Sequence, residues 1–168
     1  MPDVARNFLF DQAVKFGYDY ILFLDDDMVV DASLLVDLTK ILDADPSVAA
    51  VAPLAFRRHP PFYPCLMIKS GDKYEHLLDL DGPPVDVDVI HFAATLVRVD
   101  TLAKVAPPRF EFSRNGDALE GEDLVLSEKL RSIGGRLVCH RAIPEALHIG
   151  LPQLIGRKSF KMARQDGA

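Results

Sequence analysis

The chain has 168 residues, 49% of them hydrophobic and 26% charged, with a formal net charge of −6. That length suits one domain, residues 1–168, with a core large enough to fold alone. The acidic balance argues against a nucleic-acid partner, whose phosphates are held by clustered Lys and Arg.

Residues 3–16 read as an amphipathic helix carrying Val4, Phe8, Ala13 and Val14 inward, ended by Gly17. Tyr20 to Leu24 is a short continuous apolar run, the pattern of a strand buried on both faces. Asp31 is placed to cap a following helix with Leu34, Leu35, Leu38, Ile41 and Leu42 on one face. Val48 to Leu54 is a second buried strand. A Pro-rich loop, FRRHPPFYP, precedes a hairpin turning at Ser70-Gly71-Asp72, and VDVDVIHFAATLVRV reads as one long strand. A short helix at 100–105 leads to GEDLVLSEKLRSIGG, a helix with Leu124, Leu126 and Leu130 inward and a glycine stop. RLVCH is a last strand, IPEALHIG an extended segment, and RKSFKMAR a solvated tail helix. The alternation predicts an α/β fold with a mixed, mostly parallel sheet flanked by helices. Cys65 and Cys139 are far apart and outside any CxxC pair, so they read as free thiols in a reducing cytoplasm. The longest apolar runs stop short of a membrane span, and the N-terminus lacks a signal-peptide pattern.

The chemistry concentrates where Tyr20–Leu24 ends in Asp25, Asp26 and Asp27. Ligands of open α/β sheets bind outside the carboxyl ends of strands, and carboxylates are hard ligands for Mn²⁺ or Mg²⁺. A solvated turn is the plainer alternative. Glu122 and Asp123 open a helix, where acidic residues favour the helix dipole and where a general base could also be held. His148 lies in an apolar context, as either a satisfied imidazole or a ligand.

The order of these features resembles the GT-A fold glycosyltransferases, which transfer a sugar from a nucleotide-sugar donor. ARN (Ala5–Asn7), YILFLDDDMVV, GEDLVLSEKLRSIGGRL and ALHIG each resemble the corresponding family segment, together spanning about 5–150. FLDDDM with FRRHPPFYPCL is similar to small glycosyltransferase-like proteins of phage and environmental bacteria. The resemblance implies that Asp25 contacts the ribose or the metal, and that Asp27 and His148 hold Mn²⁺ or Mg²⁺ on the donor diphosphate. Asp26 would be the solvent-facing spacer of this donor-binding turn, and Arg6 its counter-charge. Asp123 would deprotonate the hydroxyl of a saccharide or other acceptor, with Glu122 orienting it. Related helices serve both inverting and retaining members.

Two departures carry expectations. Met1 falls immediately before the ARN helix, so the base-binding half usual in the family is absent, as in a truncated GT-A fold or a fragment. Tyr20–Leu24 would then present a free apolar edge, covered by a second copy or another chain. Ala93 and Ala94 stand where relatives commonly carry glycine near the donor sugar. Two other functions fit parts of the pattern. One is a non-catalytic, degenerate assembly module. The other is a haloacid-dehalogenase-type phosphatase with Asp25 as nucleophile and Asp27 as acid/base, which leaves His148 and the Glu122-Asp123 helix without a use.

Overall fold

A computed structural model describes residues 2–115, 118–150 and 154–165. The first helix, α1 (Pro2–Lys15), stops at Gly17, whose φ of +70° is a left-handed conformation that costs glycine little. Strand β1 (Tyr20–Leu24) turns through the three aspartates into the short β2 (Met28–Val29). Helix α2 (Leu34–Ala44) buries Leu34, Leu38 and Leu42. Its N-cap is Ser33 rather than Asp31. Asp31 acts one step earlier, its carboxylate accepting the Ser33 N–H at 2.8 Å to tighten the lead-in turn.

After β3 (Val48–Pro53) come the hairpin β4 (Met67–Ser70) and β5 (Lys73–His76), whose register pairs Ser70 with Lys73 around Gly71, φ +61°. There follow β6 (Val85–Val87), β7 (Ala94–Arg98) and α3 (Val99–Ala103). The chain continues through β8 (Ser113–Asn115), β9 (Ala118–Glu120), α4 (Glu122–Ser132), β10 (Arg136–His140), β11 (Leu147–Ile149), β12 (Leu154–Ile155) and α5 (Arg157–Gln165).

Five strands form the main sheet in the order β1-β7-β3-β10-β6, and a small sheet runs β12-β11-β2. Period-two alternation divides the main sheet into two apolar faces. Phe23, Ala50, Ala52, Val97, Leu137 and Cys139 face Phe10 of α1, Leu102 of α3 and Leu126 and Leu130 of α4. Val51, Leu96 and Val138 face Leu34, Leu38 and Leu42 of α2. Helices thus cover both faces of the inner strands, which is why β3 and β10 read as continuous apolar runs; β1, at the sheet edge, buries only Phe23 and so departs from the expected strand buried on both faces.

Four expectations need correction. The sheet is mixed but not mostly parallel, since only β3–β10 pairs parallel while β1–β7, β3–β7 and β6–β10 are antiparallel. The 85–99 segment is not one strand. Its ends pair at different places, β6 on the edge beside β10 and β7 between β1 and β3, with 88–93 crossing between. That crossing is buried and its polar groups turn to distant segments: the Ile90 N–H donates to Ser127 Oγ at 3.1 Å, and His91 Nε2 meets the Pro53 carbonyl at 3.2 Å, while His91 Nδ1 has no partner among the described residues. Apolar composition alone does not distinguish a buried crossing from a buried strand.

The third correction concerns α1, whose inward face keeps only Ala13 of the expected set. It buries Arg6, Phe10 and Ala13, while Val4, Phe8 and Val14 are exposed. In α4 the inward set is Val125, Leu126 and Leu130, and Leu124 is only half-buried. Cys65 and Cys139 are free, as expected. Among the described residues, no helix is long and apolar enough to cross a membrane.

Candidate active site

Arg6 sits on the inward face of α1, one turn from Phe10, with its side chain only 7% exposed. Its Nη1 donates to Glu122 Oε1 at 2.7 Å and Asp123 Oδ1 at 3.0 Å, and its Nη2 to Asp25 Oδ1 at 3.0 Å. Phe92 and Phe110 form an aromatic floor, each ring centroid 5.9 Å from the guanidinium carbon. Those rings pack edge to face with each other and with Phe23, which fixes the floor against β1. The next residue, Asn7, ties this end of α1 to the 109–110 segment. Its amide donates to the Phe110 carbonyl at 2.7 Å, and its side-chain oxygen accepts the Arg109 and Phe110 N–H groups.

One guanidinium thus gathers three carboxylates from β1's end and α4's first turn, leaving negative charge in excess. Asp123 feels this most. Burial pushes its carboxyl up from 3.8 to about 7, the Arg6 charge opposes the rise, and Glu122 and Asp25 add to it. Its side chain still keeps 37% exposure, so the carboxylate is open to a ligand from one side.

Asp27 points elsewhere. Arg58, from the loop after β3, holds its carboxylate at 2.9 Å. Antiparallel pairing of β2 with β11 sets His148 opposite Met28, and the Ile149 N–H donates to the Asp27 carbonyl at 2.8 Å. His148 is therefore brought to the acidic turn across 120 residues of chain. Its Nδ1 meets the Phe56 carbonyl, which only accepts, so Nδ1 carries the proton and Nε2 presents a lone pair. A backbone carbonyl fixing one ring nitrogen is the arrangement that suits the other to a metal. Asp26 is exposed.

Arg6, Asp25, Glu122 and Asp123 are thus assembled as one cluster, while Asp27 lies in the turn just before β2 and His148 on β11, the strand paired with β2. Among the described residues, no three His, Cys, Asp or Glu side chains converge as a ready-made metal cage. The donor types nevertheless fit a hard divalent ion, two carboxylates and an imidazole nitrogen of the correct tautomer. Sequence reasoning passed over Arg58, Arg57 and Asn7. The two arginines stand adjacent in FRRHPPFYP, a loop whose role composition does not reveal. Asn7 stands inside the ARN motif itself and was the more accessible signal.

Two clefts open beside the cluster. One, of about 340 Å³, is lined by Asp123, Glu120, Gly121, Leu124, Arg57 and Cys65 among others. The second, of about 420 Å³, is lined by His148, Arg57, Arg58, His59, Tyr63 and Cys65 with Pro60 and Pro61. Arg57 and Cys65 belong to both, so the clefts meet there.

No family model matches the chain, and no curated protein does. Solved structures do match. The crystal structure of A197 from STIV superposes with a TM-score of 0.60 at 17% identity, over 89% of this chain and 68% of that one. The two share a fold. At that identity the likeness is one of backbone architecture.

Proposed function

We propose that the chain is a metal-dependent glycosyltransferase of the GT-A type. The observation that carries this reading is the convergence of Asp25, Glu122 and Asp123 on the single buried guanidinium of Arg6. Three segments singled out separately along the chain meet at this one side chain. The nearness of His148 to the Asp27 turn supports it further.

Asp25, Asp27 and Nε2 of His148 would hold Mn²⁺ or Mg²⁺, which supplies positive charge to the diphosphate of a nucleotide-sugar donor. Arg6 keeps Asp25 oriented and offsets the repulsion among the carboxylates. Asp123 removes the proton from the acceptor hydroxyl. The freed oxygen bonds to the anomeric carbon of the sugar as the bond from that carbon to the diphosphate oxygen breaks, and nucleoside diphosphate leaves. With its carboxyl near 7, Asp123 has a basicity matched to neutral pH. Glu122, held by Arg6, fixes the first turn of α4 and so aims Asp123. The absence of a membrane-length helix among the described residues is compatible with a donor and acceptor met in the cytoplasm.

A second reading, a degenerate module that binds without transferring, has one observation in its favour: Asp27 is already engaged by Arg58. Thermal-shift measurement with Mn²⁺ and UDP or GDP separates the two. Stabilisation that requires metal and nucleotide together supports the enzyme, and none supports the module. Release of phosphate from p-nitrophenyl phosphate, lost on Asp25→Asn, would instead identify a phosphatase.

A further inference from the structure

The loop joining β3 to β4 carries charge opposite to that of the carboxylate cluster. Arg57, Arg58 and His59 are all exposed on it. Arg58 is tied to Asp27 at 2.9 Å. Arg57 is different: among the described residues its guanidinium has no ion-pair or hydrogen-bond partner, yet it lines both clefts. Its base is fixed, because its N–H donates to the Tyr63 carbonyl at 2.9 Å and closes the loop. Within the loop Phe62 adopts φ +55°, a strained conformation for a bulky residue that surrounding contacts must hold. Phe62 itself packs against the main core, and its neighbours are braced as well. Tyr63 stacks on His76 with ring centroids 4.7 Å apart, and Phe160 of α5 packs on both Tyr63 and Phe56.

The joined clefts are therefore bipolar. At one end stand Asp123 and Glu120, the latter accepting a hydrogen bond from Ser113 Oγ at 2.6 Å. At the other stand Arg57, Arg58 and His59, with His148 at the wall. Cys65 on the shared floor is inert, its thiol pushed up to about 12 by burial. A neutral acceptor would leave Arg57 without a counter-charge. A guanidinium on a fixed loop is suited to the paired oxygens of a phosphate or carboxylate.

We propose that the trough between Asp123 and Arg57 binds the acceptor, and that the acceptor is anionic: a hydroxyl compound whose phosphate or carboxylate seats on Arg57 while its hydroxyl faces Asp123. The assignment rests on the transferase reading for the role of Asp123, whereas the anion site at Arg57 can be measured by itself. The phosphate could belong to a soluble phosphomonoester or to a lipid headgroup, since exposed Lys158, Lys161 and Arg164 on α5 stand on the helix that packs against Tyr63.

The test uses the full chain, sn-glycerol 1-phosphate against glycerol, and Arg57→Gln, with binding read by calorimetry. Arg57 is exposed, so the substitution leaves the core intact, and Arg57→Lys serves as a charge-retaining control. We expect glycerol 1-phosphate to bind and glycerol not to. Arg57→Gln should weaken that binding at least tenfold, with Arg57→Lys between, while the joint effect of Mn²⁺ and nucleotide is unchanged. Vesicles containing phosphatidic acid, against phosphatidylcholine alone, form the lipid arm; Arg57-dependent retention on them alone would assign the anion to a headgroup. Equal binding of glycerol 1-phosphate and glycerol, or binding indifferent to Arg57→Gln, overturns the proposal. So does loss of the nucleotide effect in Arg57→Gln, which would give Arg57 to the donor. If metal and nucleotide have no effect on the wild type while Arg57-dependent anion binding persists, the transfer reading fails and the anion site stands.

Discussion

Arg6 is a long cation buried by a helix that leaves Val4 and Phe8 in solvent. Apolar residues stand on both sides of α1, so hydrophobicity alone does not choose its inward face. The ion-pair geometry explains the choice: with Arg6 set against three carboxylates, Phe10 and Ala13 follow at helical spacing and supply the packing. Removing the guanidinium strands Glu122, whose side chain is only 12% exposed, beside two more carboxylates. Arg6→Met should therefore cost about 3 kcal/mol in urea unfolding, and pairing it with Glu122→Gln should recover part of the loss. A change under about 1 kcal/mol would mean that solvent already screens the cluster.

Asp123 gives a residue-scale prediction with a definite sign. Its folded carboxyl titrates near 7, above the usual 3.8, so the folded state holds a proton that the unfolded state has released between those values. Stability from this group is fully present below about pH 4 and is lost as pH rises towards 7. Asp123→Asn removes that dependence. Its melting temperature should gain on the wild type progressively from pH 4 to 7, while transfer falls about 10²–10⁴-fold. In the wild type, transfer should rise with pH and level off above about 7, the sense required of a base. A melting difference that is flat across that range would contradict the burial of Asp123.

At the scale of elements, the acidic turn and the strand before it behave separately. Within the turn, Asp25 faces Arg6, Asp27 faces Arg58 and Asp26 faces solvent. Asp26→Ala should keep the stabilisation by Mn²⁺ with nucleotide, and Asp27→Ala should lose it, when the two variants are compared by thermal shift. Among the described residues, strand β1 pairs only with β7, so its other edge has no strand beside it. The Asp25 N–H bonds to Ala93, on the β7 side. By antiparallel alternation the main-chain groups of Leu22 and Leu24 then point to the open edge. An open apolar edge templates pairing with another strand. Sedimentation velocity should show concentration-dependent association that Leu24→Lys, at a 46% exposed position, suppresses. A monodisperse monomer across the concentration range would refute it.

Over the whole molecule, the cluster joins residues 19, 116 and 117 positions apart, so it exists only when the fold does. Ligand binding there must stabilise the fold by linkage. A nucleotide held jointly with Mn²⁺ at a hundredfold excess over Kd should add about 2.7 kcal/mol, or roughly 5–10 °C in Tm, and EDTA should remove it.

Much of this was legible in the residues themselves. Gly17 and the Ser70-Gly71-Asp72 turn mark ends that backbone geometry imposes locally, and β3 and β10 announce themselves because helices bury both their faces. The site residues Arg6, Asp25, Glu122 and Asp123 could be selected because charges at strand and helix ends are local features too. The direction α1 faces, the split of 85–99 into two strands, the antiparallel pairings and the basic loop beside Asp123 were not legible. Each depends on which distant segment lies alongside, and a residue's own neighbours in sequence carry no record of that. Sequence by itself determined the elements and the chemistry at their ends; tertiary structure alone decided that one buried arginine should bring the end of β1 and the start of α4 together, because three carboxylates converging from distant segments need a counter-charge that their own sequence neighbours do not supply.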